Sequence, residues 1–154
     1  LRAERRHLLA DDAAATDPIL RMVTQLQQLR GVGEVSAWLY ATEFFSWRQF
    51  RNRRQVGALA GLTATPRESG DVSRELGISK AGNALIRALA IELAWSWVRR
   101  QPTSALARWY RHRFASGGPR QRRIGIVAVA RKLLIALWRY LHTGVLPEGA
   151  LLKV

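Results

Sequence analysis

Apolar side chains recur along most of the chain at the three-to-four-residue spacing of amphipathic helices. Asp17-Pro18 pairs a favoured N-cap residue with a proline at the first helical position. Ile19, Met22 or Val23, Leu26 and Leu29 follow at helical spacing, and this first element is expected to end at Gly31. Ser46 is a candidate cap for a helix over 47–60, with Phe50, Val56 and Leu59 inward, Arg48, Arg51, Arg53 and Arg54 outward, and Gly61 as its C-terminal stop. Leu85, Leu89 and Leu93, broadened by Ile86, Ala90 and Trp97, predict a helix over 84–100, with Ser79 or Asn83 as cap candidates. Pro102 breaks or starts an element, and 103–115 reads as an Arg- and aromatic-rich helix containing Leu106, Trp109, Tyr110 and Phe114. After the Ser116–Pro119 loop and a basic cluster, Val127, Ala130, Leu134, Leu137 and Leu141 mark a long helix over 124–142, ended by Gly144 and Pro147. No alternating run is long enough for a convincing strand. The expected fold is all-α: a helical bundle over 17–144, preceded at 1–16 by a linker or the end of an earlier helix and followed at 145–154 by a short, loose tail.

Two stretches depart from plain amphipathic patterning. Leu29-Arg30-Gly31-Val32-Gly33-Glu34-Val35-Ser36-Ala37-Trp38-Leu39 places a G-V-G turn between helices and resembles a helix-hairpin-helix. Such a turn aims backbone N–H groups and a positive helix end at a phosphate without reading bases, which makes Gly31 and Gly33 candidate nucleic-acid contacts. A plain helix–helix turn, in which glycine allows close approach, fits the same residues. The second stretch, Gly61 to Arg87, is rich in helix breakers and is expected to be an irregular, serine-bearing loop. Long irregular segments inside compact domains are usually functional or disordered. Ser69, followed by Gly70, is its candidate nucleophile, and Arg67, Arg74, Lys80 and Arg87 are candidate phosphate contacts. A serine nucleophile needs activation, and attack on a phosphodiester needs fixed cations at the developing charge. Ser-Gly is also ordinary turn chemistry.

Charge changes the picture more than length does. The 154 residues carry 25 Lys and Arg against 11 Asp and Glu, a formal charge of +14. Residues 1–75 hold 11 basic and 9 acidic side chains, whereas 76–147 hold 13 basic side chains and Glu92 as their one acid. Mostly arginine, and planar, the excess suits phosphate. Nucleic acid is the first partner class it implies, with Arg120, Arg122, Arg123 and Arg131 as further contact candidates. An anionic membrane surface fits less well, because the arginines are not confined to one amphipathic helix, and no membrane partner is expected.

Other chemistries find little support. The chain has no cysteine, so disulfides, thiolate zinc sites and cysteine nucleophiles are excluded, which fits a cytoplasmic location. His7, His112 and His142 have no metal-ligand spacing, no phosphate-binding glycine motif occurs, and no metal or other cofactor is expected in this chain. The apolar runs fall short of the roughly 20 residues of a membrane span. The chain opens with Leu1 and has no signal peptide, so it is read as a piece of a longer protein.

Several motifs in order carry a family resemblance. They are L-R-G-V-G-E-V-S-A-W-L, F-x-x-x-x-Q-V-G-A-L-A-G-L-T from Phe50 to Thr63, S-G at 69–70, I-S-K-A-G-N-A-L-I-R from Ile78 to Arg87, and V-A-V-A-R-K-L-L from Val127 to Leu134. Together they resemble the C-terminal domain of the insertion-sequence one-ten family, the IS116/IS110/IS902-type transposases. Two positions depart: Glu68 stands where the family often has serine, and Leu76-Gly77 shifts a usual glycine by one. The resemblance implies a DNA recombinase working through a covalent phosphoserine, with Ser69 at the nucleophile's position. It also implies a bridge RNA as guide, homo-oligomers, and Mg²⁺ held by a RuvC-like acidic domain absent from this chain. The location implied is the bacterial cytoplasm, associated with the nucleoid. The alternative expectation is a non-catalytic helix-hairpin-helix module that only grips nucleic acid.

Overall fold

The computed structural model describes residues 2–5, 17–46, 50–62 and 70–154, with backbone alone over 70–83. Among the described residues the architecture is all-α. The elements are α1 (Pro18–Gln28), α2 (Glu34–Leu39), α3 (Arg53–Leu59), α4 (Gly70–Arg100), α5 (Ala105–Arg113) and α6 (Pro119–Thr143), and α2 runs on as a π-helical segment over Tyr40–Phe45. No strand occurs among them, although Leu29 and Leu152 form an isolated antiparallel bridge.

Local chemistry explains several boundaries. The Asp17 carboxylate accepts the Ile19 amide at 2.8 Å ahead of Pro18, as its sequence position implies. Gly61 and Gly144 adopt left-handed φ of 70° and 74° just past α3 and α6, conformations that glycine tolerates without a Cβ penalty. The Ser46 hydroxyl donates to the Thr42 carbonyl behind it, and residues 47–49, Arg48 among them, lie outside the described residues. The cap of α3 is Asn52, whose side chain accepts the Gln55 amide at 3.1 Å, so of the helix expected over 47–60 the described residues form Arg53–Leu59. Helix α6 starts at Pro119, not at 124, taking the basic cluster into its first turns.

The largest correction concerns the middle of the chain. From Gly70 onward the stretch expected to be irregular is helical, and Ser79 and Asn83 lie inside α4 rather than at its start. Interior glycines such as Gly77 and Gly82 cost about 1 kcal/mol each relative to alanine. A helix whose far half is anchored in a core can propagate through them, because extending a helix is far easier than nucleating one.

That anchored half packs on α6 to form the centre of the molecule. Ile86, Ala90, Leu93, Ala94 and Trp97 of α4 and Val129, Ala130, Leu133, Leu134 and Leu137 of α6 are all buried. The π-helical segment adds Tyr40, Phe44 and Phe45, whose rings meet each other and Phe50 at centroid distances of 5.0–6.4 Å. The Tyr40 hydroxyl donates to the Ile86 carbonyl at 2.9 Å. Burial, and then the nearby Glu92, pushes its pKa well above the usual phenol range. Against α6, Phe114 packs so closely on Gly125 that a Cβ there would fall 2.4 Å from its ring.

The C-terminal residues are docked rather than loose. Gln101, fully buried, donates from Nε2 to the Arg30 carbonyl at 2.7 Å and the Leu151 carbonyl at 2.8 Å, and its Oε1 accepts the Leu151 amide at 2.7 Å. The Arg30 amide also donates to Leu151, the Lys153 amide to Gln28, and the Ala105 amide to Glu148. Beside this junction the Trp97 indole donates to Ser104 Oγ at 3.0 Å, and the same oxygen caps α5 through the Ala107 amide.

Replacing Gln101 by Ala is expected to cost about 2–4 kcal/mol, because the Arg30 carbonyl and the Leu151 amide lose this partner, while the Leu151 carbonyl keeps the Arg30 amide. Urea unfolding reads this as a lower midpoint at an unchanged slope. A loss below about 0.5 kcal/mol would contradict the role given to the amide.

Candidate nucleic-acid interface

The G-V-G turn links α1 to α2 and is built by its contacts. Gly31 has φ +91°, and a Cβ there would lie 3.4 Å from Arg100 Cβ and 3.5 Å from the Ser96 carbonyl. Ser96 Oγ donates to the Gly31 carbonyl at 2.8 Å, and Lys153 Nζ donates to the Val32 carbonyl at 2.7 Å. Burial holds the Lys153 pKa below the ordinary lysine value. Gly31 is therefore required by its backbone conformation, its neighbours standing at ordinary contact distance. Gly33 is not: its φ is −83°, it stands at the N-cap of α2, and a Cβ would meet nothing within 4 Å. No side chain caps the first turn of α2. The turn opens on a depression of about 710 Å³ whose lining includes Ser36, Glu92, Ser96 and Arg99, so its charge is mixed.

Ser69 and Arg67 lie outside the described residues. Gly70, bonded to Ser69, is the first residue of α4. At about 1.5 Å per residue, α4 carries Arg74 about 6 Å, Lys80 about 15 Å and Arg87 about 25 Å along the axis from Gly70. Within one chain, then, Arg74 alone of these three stays near the Ser69 end. Arg87 is exposed just past the middle of the helix, where its Cδ would lie 3.9 Å from a Cβ on Gly61.

Arg120, Arg122 and Arg123 are exposed in the first turns of α6, which carry no acid. The positive end of a helix disfavours cations there, and a bound anion relieves that repulsion. Arg131 is exposed further along the same helix. Arg53, Arg54, Lys132 and Arg139 gather with it around a second depression; Lys132 ends the basic region 108–132 expected to hold nucleic acid, whereas Arg53, Arg54 and Arg139 were not among the sequence candidates. Arg131 and Arg139 are eight residues apart and so share a helix face, which was legible in the sequence. Their meeting with α3 was not.

A metal does not fit the described residues. They contain no group of three or more His, Asp and Glu placed to hold an ion. No described helix is long and apolar enough to cross a membrane.

Comparison with known proteins places this geometry in context. The model of the transposase IS116/IS110/IS902 family matches residues 23–110, more than half of the chain. The chain is 46% identical over 129 residues to the Sinorhizobium fredii protein named "Putative transposase y4rJ", covering 83% of this chain and 32% of that protein. It is 31% identical over 108 residues to the transposase for insertion sequence element IS1328 of Yersinia enterocolitica, covering 69% and 30% respectively. The chain thus spans about a third of the length of the curated relatives it matches. No solved structure matches it.

The two glycines should separate on substitution. Gly31→Ala is expected to lose about 1–2 kcal/mol through its left-handed backbone, while Gly33→Ala stays within about 0.5 kcal/mol of the parent. Thermal unfolding of both variants checks this, and equal losses would contradict it.

Proposed function

We propose, starting from the fact that the chain belongs to the transposase IS116/IS110/IS902 family, that it is the helical, serine-bearing part of a DNA transposase. One observation carries the reading: Ser69 falls inside the family match, and Gly70 after it opens a 31-residue helix. Ser69 Oγ attacks a DNA phosphorus and forms an O–P bond. The bond from that phosphorus to one deoxyribose oxygen breaks, the serine proton passes to a base, and the released sugar oxygen takes up a proton. One phosphoester replaces another, so the free sugar hydroxyl of a second strand can reverse the step and rejoin DNA.

Arg67 and Arg74, nearest to Ser69 along the chain, are assigned to the scissile phosphate. Lys80 and Arg87 contact the backbone farther away, and Arg120, Arg122, Arg123 and Arg131 hold DNA or a structured guide RNA. The acidic domain and its Mg²⁺ belong to a part of the enzyme outside this chain, and the assembled enzyme is a homo-oligomer in the bacterial cytoplasm, at the nucleoid.

A second reading is a non-catalytic helix-hairpin-helix module that only grips nucleic acid. Gly33 favours it, because neither packing nor backbone conformation requires a glycine there, whereas close approach of a phosphate would.

With the acidic domain joined, and with guide RNA, Mg²⁺ and labelled DNA present, the protein is expected to form an adduct that survives denaturing electrophoresis. Ser69→Ala should reduce the adduct by at least about three orders of magnitude while leaving DNA affinity within about threefold. Undiminished adduct in that variant overturns the nucleophile. Salt-dependent binding with no adduct in either form supports the module reading.

A further inference from the structure

We propose that the groove between α3 and α6 is a docking surface for the phosphodiester backbone of duplex DNA; this rests on the transposase reading above. The groove has a volume of about 710 Å³. Five cations surround it: Arg53 and Arg54 from α3, and Arg131, Lys132 and Arg139 from α6. None of the described residues lining it is acidic. Cations gathered on one concave surface raise the local potential and draw in an anion.

The lining fits a phosphate chain better than a single nucleotide base. Gly57, Ala58 and Ala136 are small and let a backbone approach. No aromatic side chain is among the described lining residues, so the groove has no platform on which unpaired bases would stack. Lys132 Nζ stands 4.7 Å from the Trp109 ring centroid, a cation–π contact that fixes the ammonium at the rim.

The helix geometry extends the surface. Arg131 and Arg139 lie on the face of α6 opposite its buried Val129, Leu133 and Leu137. They are about 12 Å apart along the axis, a span of three to four phosphates at about 3.4 Å per step. By the same 100° steps Arg120 falls on this face near the start of α6, so the cationic stripe runs about 28 Å.

The test is fluorescence anisotropy of the 154-residue protein with a 20-base-pair DNA duplex across a salt series, and with an RNA duplex of the same sequence. Each phosphate that a protein neutralises on B-DNA adds about 0.9 to the steepness of the log–log salt dependence. Arg131→Gln/Arg139→Gln is expected to weaken DNA binding and flatten the slope by about 1.8. Arg2→Gln/Arg5→Gln removes the same charge outside the groove and should flatten it by less than about 0.5. Arg131, Arg139 and Arg2 are exposed, Arg5 is half-buried with its guanidinium 5.7 Å from the Trp38 ring centroid, and matching melting curves establish that all variants are folded. Equal flattening in the two double variants, or none in either, overturns the groove while the transposase reading stands. Flattening confined to the RNA duplex overturns DNA as the occupant. Failure of the parent protein to bind DNA at any salt overturns the reading on which the groove rests.

Discussion

One carboxamide joins the α1–α2 turn to the C-terminal segment. Gln101 sits where α4 stops, fully buried, with both amide hydrogens and its oxygen engaged by backbone from the α1–α2 turn and from the C-terminal segment. The groups it meets at that junction are main-chain donors and acceptors in part-buried hydrogen bonds, so its energetic weight lies in what would be stranded without it. The consequences spread outward. The docked C-terminal segment brings Lys153 onto Val32, and Ser96 of the same α4 end fixes Gly31. The G-V-G turn is thus held from two sides before any ligand is considered.

This arrangement divides the glycines of the turn by purpose. Gly31 is needed for left-handed backbone, while Gly33 faces open space. The turn is hydrogen-bonded on its inner side and leaves Gly33 unobstructed on its outer side. The larger cationic resource lies elsewhere, on the solvent face of α6, where arginine-rich turns continue into the groove shared with α3. The bundle's core helix therefore has two uses: one face carries the packing of Leu133, Leu134 and Leu137, and the other presents charge.

How far the fold could be read from the sequence depended on how local each signal was. Asp17-Pro18, Gly61 and Gly144 act within one helical turn, and each does what its residue type implies. The stripe of Ile86, Ala90 and Trp97 was legible for the same reason. The helical course from Gly70 was not, because its glycines weaken local propensity and its support comes from the anchored half of α4. Nor was the docked tail, since nothing in Leu151-Leu152-Lys153 announces a partner fifty residues away in Gln101. At the interface, arginine content announced an anionic partner, but the meeting of Arg53 and Arg54 with Arg139 is a product of tertiary packing.

The central claim is that Ser69 forms the covalent link to DNA. Its most direct test is to trap the reaction of the enzyme with its acidic domain, digest with trypsin and nuclease, and sequence the modified peptide by mass spectrometry. Cleavage after Arg67 and Arg74 releases Glu68–Arg74, which contains both Ser69 and Ser73. A nucleotide phosphate is predicted on Ser69, located by fragment ions that exclude Ser73. A nucleotide on Ser73 or on any residue outside this peptide would contradict the claim, as would strand cleavage with no protein-linked nucleotide.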